Sequence, residues 1–123
     1  MATGFFWDET TFWHSGGNYV DILPAGGLVQ PKVASGLPET PESKRRFKNL
    51  IEVTGLAAEL DMRGATAATE AELLRVHPQS YLDAFKALSD ADGGELGYHT
   101  PFGPGGYEIA AQSAGLVVHA LGS

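Results

Sequence analysis

Residues 93–114, GGELGYHTPFGPGGYEIAAQSA, carry a loop bent by glycine and proline straight into an amphipathic helix. Glycine admits left-handed backbone and proline fixes φ, so this spacing shapes a surface loop rather than a buried connection. Glu95, Tyr98, His99, Thr100, Phe102 and Tyr107 are set out along it. Polar and aromatic groups on such a loop mark a surface that meets ligands. The helix that follows runs from about Gly106 to Leu121, with Ile109, Ala110, Ser113, Leu116, Val117 and Leu121 as its expected buried set.

Upstream, Gly4-Phe5-Phe6-Trp7-Asp8 reads as a short buried strand. The segment from Glu9 to about Pro38 is punctuated by Gly16-Gly17, Pro24, Gly26-Gly27, Pro31 and Pro38. It also holds Phe12, Trp13, Tyr19, Ile22, Leu23, Leu28 and Val29, which is too apolar for disorder, so an ordered surface loop lining a pocket or an interface is expected. Thr40-Pro41-Glu42 is a helix start, with a capping residue, proline at the first helical position and an acid in the first turn. Phe47, Leu50, Ile51 and Thr54 mark that helix's inner face, and Gly55 ends it. Leu56 to Arg63 can supply a second strand, and Thr69-Glu70-Ala71-Glu72 is a capping box. Pro78 permits a further helix with Tyr81, Leu82, Phe85 and Leu88 as its stripe. The fold class is therefore α/β, with the few strands read as members of a parallel sheet.

The 123 residues fit one domain. A net charge of −7 argues against a nucleic-acid partner, and Lys44-Arg45-Arg46 with Lys48 reads as a solvated helix face. With no cysteine, disulfides, thiolate metal sites and a Cys nucleophile are excluded. No apolar run reaches the roughly 20 residues of a membrane span, and the N-terminus lacks a signal-peptide pattern. A cytoplasmic protein with no membrane partner is the expectation.

Metal sites need several His, Asp or Glu ligands brought together. His14, His77, His99 and His119 show no such spacing, so no metal-binding residue is expected in this chain. A nucleophile-elbow serine and a phosphate-loop fingerprint are both missing. The residues alone predict a ligand-lining surface without a reaction centre, in which His14 and His99, on the two loops, are the histidines placed to touch a ligand.

The ordered series comprises the aromatic first strand, PESKRRF, LLRVHPQSYL, GGELGY and TPFGPGGYEIAAQSAG, and runs from about Gly4 to Ala120. It resembles the N-terminal part of the histone deacetylase family, specifically the bacterial class II-like deacetylases and acetylpolyamine amidohydrolases. The resemblance implies an arginase-like three-layer fold, and it implies that residues 1–123 form one part of a single deacetylase domain. It also implies hydrolysis of acetyl-lysine or acetylated polyamine amides with one zinc ion, whose ligands, two Asp and one His, lie downstream of this chain. On this comparison loops 9–38 and 93–105 form the rim of a substrate tunnel. Trp13, His14, Tyr98, His99 and Phe102 are the candidate substrate-binding residues, with Tyr19 on the aromatic rim. Arg46 is the candidate for an acetate channel, with Arg45 a competing match. At the position of His99 many relatives carry an Asp that holds the substrate backbone. The chain alone is expected to be inactive, with the remainder of the same enzyme or a second copy as its partner. A non-catalytic binding or oligomerisation module built on the same fold is the alternative.

Overall fold

The computed structural model describes residues 2–14, 19–20, 23–24 and 40–122. Strand β1 (Thr3–Phe6) and strand β4 (Leu60–Arg63) form a parallel pair with Phe5 opposite Met62. Trp7 N–H extends the ladder by donating to Arg63 O at 3.0 Å. Between them lies helix α1 (Pro41–Val53), so the three elements make a βαβ unit. Parallel neighbours need such a crossover because a tight turn cannot reverse the chain twice.

Pro41 opens α1 as the sequence predicts, but Thr40 makes no side-chain cap bond. Gly55, at φ 82°, ends the helix in the left-handed region. Only Ile51 of its expected inner face is buried. Phe47 meets Phe5 at 6.4 Å between ring centroids but, like Leu50, stays mostly exposed. Lys48 lays its stem inward and places Nζ 3.6 Å over the Trp7 ring.

The first strand is half-exposed rather than buried: Thr3 and Gly4 are exposed, while Phe5 and Phe6 are partly covered by neighbours that include α4 (Gly106–Gly122). Residues Glu9–Trp13, expected to be irregular, form a 3-10 turn. Asp8 caps it by accepting from Thr10 N–H at 2.8 Å. A short antiparallel pair, β2 (Tyr19–Val20) with β3 (Leu23–Pro24), follows. The rest of the expected loop to Pro38, with Ile22, Leu28 and Val29, lies outside the described residues.

Helix α2 (Glu70–Leu73) carries the predicted capping box in full. Thr69 Oγ1 accepts from Glu72 N–H at 3.2 Å, and Glu72 Oε2 accepts from Thr69 N–H at 2.7 Å. Helix α3 (Gln79–Asp90) buries Leu82 and Ser89. A two-residue ladder, β5 (Gly94–Glu95) with β6 (Pro101–Phe102), then leads to α4.

The buried face of α4 is not the expected one. Gly106, Ala111 and Gly115 are buried, whereas Ala110, Ser113, Val117 and Leu121 are exposed. Backbone chemistry decides the orientation. Ala68 N–H donates to Ala111 O at 2.9 Å, and Gln112 Nε2 donates to Ala65 O at 2.7 Å and to Asp8 Oδ2 at 3.2 Å. These bonds pull the segment 65–68 onto the small-residue face, which a bulky apolar stripe could not approach. Among the described residues the resulting core is thin, with Ile51, Ala68, Leu82 and Ala111 its buried apolar side chains.

Candidate functional site

One groove of about 520 Å³ gathers the sequence-distant loops, a volume in the range of ligand sites. Tyr81 and Phe85 of α3 form its floor, Leu96 and Thr100 to Phe102 one wall, and Gly106, Ile109, Ala110 and Ser113 of α4 another. Thr11, Phe12 and His14 close it from the 3-10 turn, with Pro41 and Lys44 from the start of α1.

The wall is built from local chemistry. Thr100 N–H donates to Glu95 Oε1 at 3.2 Å, and Thr100 Oγ1 donates to Gly97 O at 3.0 Å, which closes the loop between β5 and β6. His99 turns the loop at φ 59°, a left-handed conformation that His enters more readily than most side chains. Phe102 then packs edge-on to Phe85 at 4.6 Å, and Tyr107 meets Phe85 at 5.4 Å. Such aromatic contacts stiffen a wall as well as burying area. Gly106 lets α4 begin this close, since a Cβ there would stand 3.0 Å from two atoms of Phe102.

A polar latch fixes the start of α4. Ser89, only 2% exposed, accepts from Tyr107 N–H at 3.0 Å and donates to Glu108 Oε2 at 3.2 Å. Its carbonyl accepts from Gly105 N–H at 3.0 Å. Lys86 Nζ bridges Asp90 and Glu108, 2.8 Å from Glu108 Oε1. Hydrogen bonds to Asp90 and Glu108 push the Lys86 ammonium up to about 12. The Lys86 hydrogen bond, opposed by partial desolvation, holds the Glu108 carboxyl below its ordinary value.

A raised ammonium stabilises the fold below its ordinary value of 10.5 and loses that contribution as pH rises through about 12. A lowered carboxyl stabilises above 4.5 and loses its contribution as pH falls further. The latch is therefore complete from about pH 5 to 10. Because it is solvent-facing, its contribution is small and salt-sensitive. Lys86→Met is expected to remove the salt dependence of the Tyr107 and Glu108 amide protection factors in hydrogen exchange. An unchanged salt dependence would show that the ion pair does not hold the helix start.

Of the candidate residues, His14 and Phe102 line the groove. Burial, and then the charge of Lys44, lowers the His14 imidazole below its ordinary value, so this ring favours its neutral form. Trp13 is 65% exposed and does not line the groove. Tyr98 is 89% exposed, with its ring 3.9 Å from that of half-buried His99, and neither lines the groove. Arg46 points to solvent. Arg45 turns inward, pairing with Glu42 and Glu9 and lying 5.4 Å over the Phe12 ring. Tyr81 and Phe85 were expected in a core stripe and Lys44 on a solvated face, so the groove's floor and its cation were not read from the sequence. The i, i+4 aromatic pair in YLDAF was the available signal.

Among the described residues no three His, Asp or Glu side chains lie close enough together to hold a metal ion. No helix of the described residues is long and apolar enough to cross a membrane.

No family model matches the chain. Over 119 residues it is 56% identical to a histone deacetylase-like amidohydrolase of Pseudomonas aeruginosa. Nearly the whole of this chain is thus similar to one part of that amidohydrolase. The match takes in 97% of this chain and 31% of that protein. The crystal structure of the HDA15 HD domain superimposes with a TM-score of 0.75 at 22% identity, covering 97% of this chain and 30% of that one. At that identity the likeness is one of fold, and it agrees with the α/β arrangement around the parallel β1–β4 pair. The chain spans about a third of the length of both proteins.

Proposed function

We propose that this chain forms the substrate-side wall of a zinc-dependent deacetylase. The whole enzyme hydrolyses acetyl-lysine or acetylated polyamine amides to acetate and a free amine. The single observation that carries this reading is the groove floored by Phe85 and walled by Leu96 and Thr100 to Phe102, in a chain 56% identical to a histone deacetylase-like amidohydrolase. Residues 1–123 are one part of a single catalytic domain, with loops 9–38 and 93–105 as its rim. Phe102 and His14 bound the acyl-lysine stem and exclude water, while Trp13, Tyr98 and His99 form the outer rim. Arg45, less exposed than Arg46 and paired with Glu9 and Glu42, suits the channel role better than Arg46 does.

Zinc is assigned to residues outside this chain. Its catalytic chemistry follows them, and the isolated chain is inactive. The exposed apolar residues Phe47, Leu50 and Val53 on α1, and Val117 and Leu121 on α4, suit faces covered by the remaining domain.

The wall is tested in a hybrid in which this chain replaces the matched stretch of the Pseudomonas relative. Phe102→Ala removes an aromatic contact worth about 1.5–3 kcal/mol, so kcat/KM for an acetyl-lysine peptide should fall tenfold or more. An unchanged kcat/KM would remove Phe102 from the substrate wall.

A further inference from the structure

Resting on the deacetylase reading, we infer that Gln112 is a positioning residue for substrate binding. It acts through Asp8, holding the Glu9–Trp13 turn at a fixed distance from α4 and so setting the width of the groove. Thr11, Phe12 and His14 line one side of that groove, and Ile109, Ala110 and Ser113 of α4 line another. Gln112 itself lines neither side.

A glutamine amide nitrogen carries two protons, and an ionised carboxylate or a carbonyl only accepts. Gln112 Nε2 donates one proton to Asp8 Oδ2 at 3.2 Å and the other to Ala65 O at 2.7 Å. The second Asp8 oxygen, Oδ1, accepts from Thr10 N–H at 2.8 Å and from the Thr10 hydroxyl. Asp8 O accepts from Thr11 N–H at 3.1 Å and from Thr11 Oγ1 at 2.7 Å. The placement of α4 is thus passed through Asp8 to the residues that close the groove.

The helix is the fixed partner, and the turn depends on it. Ala68 N–H donates to Ala111 O at 2.9 Å, and Gly115 approaches the backbone of residues 66–68 too closely for a Cβ. None of the turn's five residues is buried, and the β1–β4 pairing ends before it, so polar ties carry its placement. On the α1 side Arg45 lies 3.6 Å from Glu9 and 5.4 Å over Phe12, a solvent-facing contact that contributes little.

Three variants test this, in the 123-residue chain and in the hybrid with the Pseudomonas relative. Gln112→Met keeps the bulk and removes both donors, whereas Gln112→Lys keeps donors within reach of both oxygens. Asp8→Asn keeps the Oδ1 acceptor for the turn but sets an N–H against Gln112. By NMR, Gln112→Met and Asp8→Asn should shift the Thr11 and Phe12 amides. They should also move the His14 ring's titration up toward 6.5, because burial is the larger cause that lowers it. The Tyr107 and Glu108 amides, at the helix start held by Ser89, should stay in place, and Gln112→Lys should match the parent. In the hybrid, Gln112→Met and Asp8→Asn should raise KM for an acetyl-lysine peptide roughly five- to tenfold, with kcat within about twofold. A packing role alone would leave Gln112→Met unchanged and make Gln112→Lys the most damaging. The inference is overturned if Gln112→Met leaves the His14 titration and KM where they were, if Gln112→Lys behaves as Gln112→Met, or if kcat falls at constant KM. A parent hybrid that releases no acetate sinks the deacetylase reading alone, and the His14 and Phe12 signals still decide whether Gln112 sets the groove.

Discussion

Gly115→Ala is expected to lower Tm by roughly 10 °C, although alanine is the better helix former. A methyl group at Gly115 would lie 2.1 Å from Thr66 O, 2.8 Å from Ala68 N and 2.9 Å from Ala67 C. All three are backbone atoms, so no side-chain rotation relieves the contact. The helix gains about 1 kcal/mol from the loss of glycine. Against this stand an overpacking cost of about 1–3 kcal/mol and about 1 kcal/mol for the Ala68–Ala111 hydrogen bond that anchors the displaced segment. The net loss is about 2 kcal/mol, a large share of a small domain's stability. Gly122→Ala is the control, since its added methyl meets nothing within 4 Å. Equal melting of the two variants would show that the segment 66–68 does not press on α4.

Gly93→Ala should cost more, about 3 kcal/mol, because two penalties act at one residue. Its φ of 85° is left-handed, and a Cβ would stand 2.3 Å from Phe102 O and 2.8 Å from Gly103 Cα. Gly55→Ala and Gly105→Ala separate the terms. Both glycines have comparable positive φ, and neither has an atom within 4 Å of the added carbon, so each should cost only the conformational part, about 1–2 kcal/mol. Phe102 is the residue displaced at position 93, so Gly93→Ala should also loosen the Phe85–Phe102 edge contact and broaden the groove amides in NMR. If denaturant unfolding gives Gly93→Ala and Gly55→Ala the same cost, the close approach of residues 93 and 102 is not real.

The helix boundaries were legible because their signals are local. Thr40-Pro41 and Gly55 frame α1, and the Thr69/Glu72 pair opens α2, each within a few residues of the feature it sets. The parallel sheet was legible from an aromatic strand, a helix and a second strand in succession. The face of α4 was not, because it is fixed by Ala65 and Ala68, more than 40 positions upstream, and an apolar stripe drawn on the helix alone cannot see them. Arg45 and Arg46 are adjacent and chemically equal, and only the placement of Glu9 and Phe12 distinguishes them. In the groove, Phe102 and His14 could be read from their loops. Tyr81 and Phe85 looked like core because their spacing fits a buried stripe, and a groove floor uses that same spacing. Tyr98 carries the aromatic signature of a wall yet stands out in solvent, beside a left-handed His99 that turns the chain away.

The central claim is that this chain supplies a working substrate wall to deacetylase chemistry. Acetate release from an acetyl-lysine peptide by the zinc-loaded hybrid with the Pseudomonas relative tests it most directly. The account predicts turnover within about tenfold of that relative, a difference of about 1.4 kcal/mol in the barrier, and none from the isolated 123-residue chain. A folded, zinc-loaded hybrid that releases no acetate from a peptide the relative hydrolyses would contradict it.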